Sequence, residues 1–275
     1  MRELPEVNVP LVAASLQVFL AEELRASGLS AYVVGLSGGV DSAVAAALAA
    51  TAVGPQRVVC LALPVAASNP ESLEHARRVA GAFSLQLEVL DLSEPARVLA
   101  AALAAEGDRL RLGNMAARLR MIALFDRARR VGGLVLGTSN KSEILLGYST
   151  LFGDSAASVN PLGDLWKSHI FPLARHLGVP APVVDKPPSA DLWPGQTDAG
   201  ELGFDYADAD PILYWHHERG MDRQSLVGLG FPAPLVDAVL LAYRRSRFKW
   251  RPTVVARLSA SCVNVDRILP RNPER

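Results

Sequence analysis

The chain is poor in sulfur, in net charge and in long apolar runs. Its only cysteines, Cys60 and Cys262, are far apart and form no C-x-x-C pair, which removes a zinc ribbon or a dithiol redox centre from consideration. Cys60 sits inside Val58-Val59-Cys60-Leu61, where cysteine behaves as a small hydrophobe. Lysine plus arginine and aspartate plus glutamate both total 28, so no basic excess marks a nucleic-acid binder. No apolar run is long enough for a membrane span. Arg2, Glu3 and Glu6 near the start replace the apolar core of a secretory signal, so a cytoplasmic protein is expected. Neither G-x-x-x-x-G-K-[ST] nor G-x-G-x-x-G occurs, and internal repeats and low-complexity tracts are missing as well. Half of the 275 residues are hydrophobic, enough to bury a sizeable core.

The most informative stretch is Ser37-Gly38-Gly39-Val40-Asp41-Ser42. An apolar run, 31–36, precedes it and reads as a buried parallel strand; an alanine-rich segment, 43–50, follows and reads as a helix. The motif is therefore a strand-to-helix turn. Glycines permit positive φ and close approach to a ligand, while first-turn N–H groups and the helix dipole favour an anion. Asp41 would repel a phosphate unless a cation lay between them, so the loop predicts Mg²⁺ together with phosphate.

Further along, the periodicity predicts helices at 10–27 (ended by Gly28), 70–82 (Asn69 as N-cap, Pro70 at the first position), 94–105 and 114–131. Strands are expected at 57–63, 85–91 and 134–136. Alternating strands and helices predict an α/β fold, a doubly wound parallel sheet with flanking helices, binding ligands beyond the carboxyl ends of its strands. After about residue 150, proline and glycine become frequent. Residues 185–203 form a long polar-aromatic loop, expected to act as a lid, and helices follow at 208–219 and 233–248 before an irregular tail from Arg251. The whole, 1–275, reads as one domain, with a nucleotide-binding core at 31–150 and a helical part at 204–275.

S-G-G-x-D-S resembles the pyrophosphate loop of the N-type ATP pyrophosphatases, whose fold is the adenine nucleotide α-hydrolase type. Three further segments follow in order. They are Gly137-Thr138-Ser139-Asn140-Lys141-Ser142-Glu143, then Asn160-Pro161-Leu162-Gly163-Asp164-Leu165-Trp166-Lys167, then Lys186-Pro187-Pro188-Ser189 through Asp198. Together with the loop they look like the NAD synthetase family, over about residues 10–253. That resemblance implies ATP-dependent amidation of deamido-NAD through an acyl-adenylate, with AMP and pyrophosphate released. It implies that Gly35, Leu36, Ser37, Gly38, Gly39, Val40, Asp41 and Ser42, with Thr138, Lys167 and Ser189, contact ATP, and that Asp41 and Glu143 hold Mg²⁺.

Gly113-Asn114-Met115-Ala116-Ala117-Arg118-Leu119-Arg120-Met121 resembles the family's Gly-Asn-x-x-Ala-Arg-x-Arg-Met helix, which gives Arg118 to deamido-NAD. Phe248-Lys249-Trp250-Arg251-Pro252 aligns with His-Lys-Arg-Arg-Pro, giving Lys249 the same role. Three acceptor-side positions depart from the family pattern. Leu151 stands where many members have Lys, Ser158 where they have Asp, and Phe248 where they have His. Phe248 either stacks on a ring or packs in the core. Only about 30 residues precede the loop, too few for a glutaminase domain, so the expected nitrogen source is free ammonia or ammonia made by a separate glutaminase. The family also implies a homodimer.

Alternatives share the loop. Enzymes that adenylate a tRNA base would need a basic surface, and sulfur insertases a reactive cysteine. A nucleotide-binding regulatory module would need neither Glu143 nor Lys167.

Overall fold

The computed structural model describes residues 3–193, 195–250, 253–259, 261 and 262. Its centre is a four-stranded, wholly parallel sheet: β1 (Ala31–Gly35), β2 (Val58–Ala62), β3 (Gln86–Val89) and β4 (Gly133–Val135) in the order β3-β2-β1-β4. Tyr32 pairs with Val58 on one side and Leu134 on the other, so β1 is central. Successive β1 side chains enter different cores. Tyr32 and Val34 join the cluster built on α1 (Val9–Ser27) and α2 (Val40–Val53), whereas Val33 joins the one built on α5 (Arg109–Val131). Helices thus cover both faces, as the alternation predicts.

α2 is buried almost throughout because it lies between α1, α7 (Lys167–Leu177) and the sheet, and its alanines allow that close packing. Asn8 caps α1 through Leu11 N–H (3.1 Å), and Gly28, in the left-handed region, ends it. Asn69 caps α3 (Pro70–Ala82) as expected, α4 covers Ser93–Ala102, and α5 starts earlier than the pattern suggested because Asp108 caps it.

The order has a consequence for ligands. The chain leaves β1 toward β2 and β3, then returns to the other side of β1 as β4. The switch point lies between β1 and β4, and the loops after both strands open there.

The C-terminal part forms a second apolar cluster, built from α10 (Tyr206–Leu213), α11 (Arg223–Gly228) and α12 (Ala233–Trp250) against α6 (Lys141–Leu146) and Trp166. A π-helical turn, Tyr214–Glu218, continues α10, so the helix expected at 208–219 starts two residues earlier and changes its winding. Among the described residues of 185–203 a short helix, α9 (Asp198–Leu202), is the regular element, and α8 (Ala181–Val184) precedes the segment. Arg251 and Pro252, where the expected irregular tail begins, lie outside the described residues; 253–259 hold neither helix nor strand. No helix among the described residues is long and apolar enough to cross a membrane.

Candidate active site

The loop after β1 is shaped by one glycine. Gly38 has φ +80, and a Cβ there would lie 2.2 Å from the Ser72 carbonyl oxygen on α3. Only glycine fits, and it faces α3 rather than the cavity. Gly39 is extended and serves as the N-cap of α2. The hydroxyls of Ser37 and Ser42 brace the loop. Ser37 N–H donates to Ser42 Oγ (3.2 Å), Ser42 Oγ donates to Gly39 O (3.0 Å), and the two hydroxyls lie 3.1 Å apart. The first-turn N–H groups of α2 have no intrahelical acceptor, which leaves them for an anion.

Asp41, in that first turn, meets residues from two distant segments. Lys167 Nζ donates to Asp41 Oδ2 at 2.5 Å and to Glu143 Oε1 at 3.1 Å. Asn140 Nδ2 donates to Asp41 Oδ1 at 2.9 Å. Asn140 also closes a capping box with Glu143: its Oδ1 accepts Glu143 N–H (3.0 Å) and its own N–H donates to Glu143 Oε2 (3.2 Å). Asn140 is 0% and Lys167 2% exposed, so this polar cluster sits in a low-dielectric setting.

Electrostatics follow from that burial. Desolvation pushes the Glu143 carboxyl up to about 8, against the pull of the Lys167 ammonium, with Asp41 and Asp198 adding to the rise. Burial works to lower the Lys167 ammonium, but Asp41 and Glu143 overcome it and hold the pKa above the ordinary lysine value. Asp198 is also raised, first by burial; its Oδ2 accepts from Tyr206 OH at 3.0 Å.

Three carboxyl groups, of Asp41, Glu143 and Asp198, therefore face one ammonium, a surplus of hard oxygen donors. Among the described residues no group of three or more His, Cys, Asp or Glu side chains is arranged to hold a metal. The protein can offer Asp41 and Glu143 as a pair, and Mg²⁺ habitually takes one or two carboxylates and completes its shell with phosphate and water. The donor set fits Mg²⁺ held jointly with a bound polyphosphate.

These groups line a cavity of about 670 Å³ at the switch point, within the range of nucleotide-sized sites. Gly35–Val40 apart from Gly38, with Asp41, Ser42, Thr138, Glu143, Lys167 and Ser189, lie on its wall. The 185–203 segment roofs it: the Asp191 carboxylate accepts Asn69 N–H (3.1 Å), and Lys186 Nζ donates to Ser72 Oγ (2.8 Å).

The model of the NAD synthase family matches residues 12–253. The chain belongs to the NAD synthase family. The NH(3)-dependent NAD(+) synthetase of Chlorobium phaeovibrioides is 45% identical over 261 residues, covering 95% of this chain and 94% of that protein. The enzyme of the same name from Chlorobaculum tepidum is 45% identical over 258 residues, 93% of this chain and 92% of its own. Among solved structures, NMN synthetase from Francisella tularensis superposes with a TM-score of 0.81 at 29% identity, covering 91% of this chain and 99% of its own. NH3-dependent NAD synthetase from Campylobacter jejuni gives 0.77 at 28%, with 92% and 100% covered.

Within this family frame the acceptor-side residues divide. Lys249 lines the cavity, its Nζ donating to the Gly147 and Ser149 carbonyls at 2.6 Å each. Arg118 does not: it is exposed on α5, its Nε donating to Leu151 O at 3.2 Å. Leu151, Ser158 and Phe248 are likewise off the cavity wall. Phe248 is 65% exposed, which removes the core alternative for it.

Sequence reading missed Asn140, Asp198, Tyr206 and Arg120. Arg120 supports the cavity floor, donating from Nε to Leu63 O and from an Nη to Ser68 Oγ. Asn140 carried a legible signal, an N-cap residue three before a glutamate.

Proposed function

We propose that this chain amidates deamido-NAD with ammonia at the expense of ATP, releasing AMP and pyrophosphate. The observation that carries the reading is the junction of Asp41, Glu143 and Lys167 beneath the β1 loop, inside the cavity at the switch point. Its chemistry is suited to a polyphosphate: backbone N–H groups at the start of α2, one buried ammonium, and two carboxylates for a divalent cation.

The acceptor carboxylate is a poor acyl donor because oxide is a poor leaving group. Its attack on the α-phosphorus of ATP forms a P–O bond and breaks the bond to pyrophosphate. Ammonia then attacks the carbonyl carbon, a proton is lost, and AMP leaves with the former carboxylate oxygen. Positioning dominates such chemistry. The β1 loop orients the triphosphate, Lys167 offsets charge on it, and Thr138 and Ser189 flank the nucleotide from the β4 loop and the roof. Bound Mg²⁺ would supply neutralisation of phosphate charge, held by Asp41 and Glu143.

The acceptor lies toward Lys249. Arg118, facing outward, serves a dinucleotide only if a second copy docks there. Ile122 and Phe125, exposed three positions apart on the same helix, support that docking and hence a homodimer. A separate glutaminase would be one source of ammonia.

The test is ATP–pyrophosphate exchange: it should require deamido-NAD, and exchange indifferent to the dinucleotide contradicts the reading. The superposition with NMN synthetase favours one second reading, the same amidation on the mononucleotide form of the acceptor.

A further inference from the structure

Asp210 is 0% exposed and lies behind the cavity, on α10. A buried carboxylate is costly unless it is well satisfied. Its Oδ1 accepts from Ser142 Oγ at 2.6 Å, and its Oδ2 from Ser168 N–H at 2.9 Å and Ser168 Oγ at 2.7 Å. Ser142 Oγ in turn accepts Lys167 N–H at 2.9 Å. One carboxylate therefore ties together the residue before Glu143, the residue after Lys167 and, through Ser142, the backbone of Lys167 itself.

The same helix reaches the site a second time. Tyr206, one turn before Asp210, places its ring 5.4 Å from Lys167 Nζ, while its hydroxyl holds Asp198. The pair at i and i+4 share a face. α10 thus grips Lys167 at both ends, backbone through Asp210 and ammonium through Tyr206.

We propose that Asp210 is a positioning residue for Lys167: it locks the first turn of α7 onto α6 so that the ammonium stays between Asp41 and Glu143. This rests on the reading that Lys167 serves the phosphates of ATP. Asp210 touches no substrate in that reading. Its contribution is geometric, and a displacement of about 1 Å in a catalytic group can cost about 10²-fold in rate.

The experiment uses the full chain without ligands and compares wild type with Asp210→Asn and the milder Ser168→Ala. The first readout is acylation by N-hydroxysuccinimidyl acetate, followed by peptide mass spectrometry at Lys141, Lys167, Lys186 and Lys249. Lys167 should become acylated about tenfold faster in Asp210→Asn, the scale of losing a hydrogen bond to a charged group. Lys186 and Lys249, held elsewhere, should keep their wild-type rates and so exclude general loosening. The second readout is kinetic: kcat should fall about 10²-fold while KM for the acceptor stays put. Ser168→Ala should shift both readouts the same way and less. If Asp210→Asn does not fold, Ser168→Ala decides on the same two readouts. A folded Asp210→Asn whose Lys167 stays as protected as wild type overturns the proposal, whether or not kcat falls. Lys167→Gln separates the two layers: full activity in that variant would remove the ATP role of Lys167, whereas the acylation result would still report whether Asp210 holds it.

Discussion

Lys167 Nζ lies 2.5 Å from Asp41 Oδ2, joining residues 126 positions apart in the chain. The helix that presents Asp41 begins at the phosphate-type loop, and the helix that presents Lys167 begins where the third family segment ends. Their contact, with Glu143 beside it, turns three separate sequence signals into one site.

Removing the charge of Asp41 tests that site at its centre. Asp41→Asn should lower turnover by about 10²-fold or more, the scale of losing one electrostatic stabiliser. The fold should survive, since Asp41 lies in the first turn of α2 on the cavity wall and asparagine has the same shape. Circular dichroism and steady-state rates at saturating Mg²⁺ check this; near-wild-type rates would contradict it.

Stability should carry the signature of Glu143. Its folded value, about 8, lies above the ordinary carboxylate range of about 4.3. The folded state therefore keeps a proton that the unfolded chain has released. Stability from this group is full below the unfolded value and is lost as pH rises through about 8. In metal- and nucleotide-free protein the melting temperature should fall from pH 5 to pH 8.5, and Glu143→Gln should flatten that slope. Parallel slopes for the two proteins in differential scanning fluorimetry would refute the assignment.

The fold was legible where the signal was local. Gly28, Asn69 and the alanine-rich stretch of α2 marked elements by their own chemistry, and the alternation of strands and helices gave the sheet. α7 was not legible, because Pro172 sits inside it and masks the helical pattern. α5 began earlier than expected because Asp108 caps it ahead of Gly113, where in the fold a Cβ would lie only 3.1 Å from Leu192, a close approach no local pattern reveals. At the site, Asp41 stood out from its motif alone, whereas Glu143 and Lys167 emerged only through resemblance. Asn140 and Asp210 act through contacts 99 and 68 positions away, which a single sequence does not display.

The roof of the cavity should respond to nucleotide. Residues 185–203 hold to the body through Asp191 and Lys186, with most of the segment irregular. Limited proteinase K digestion should cut within 188–193 in the free protein and spare that stretch with ATP and Mg²⁺. Equal cleavage in both states would mean a fixed loop.

Arg118 and the cavity-facing residues should complement one another between copies. Arg118→Ala and Asp41→Asn each should cripple the pure protein. Mixed and allowed to exchange, they should regain activity, because half of the mixed pairs' sites would combine an intact Asp41 with an intact Arg118. A mixture no more active than its components would contradict a contribution of Arg118 from one copy to the site of the other.

The most direct test follows all products at once. Purified chain should convert deamido-NAD, ATP and ammonium, with Mg²⁺, into NAD, AMP and pyrophosphate in equal amounts. At fixed total ammonium the rate should climb with pH as the NH₃ fraction grows, and glutamine should not replace ammonium. Formation of ADP and phosphate, or turnover only with the mononucleotide acceptor, would contradict the account.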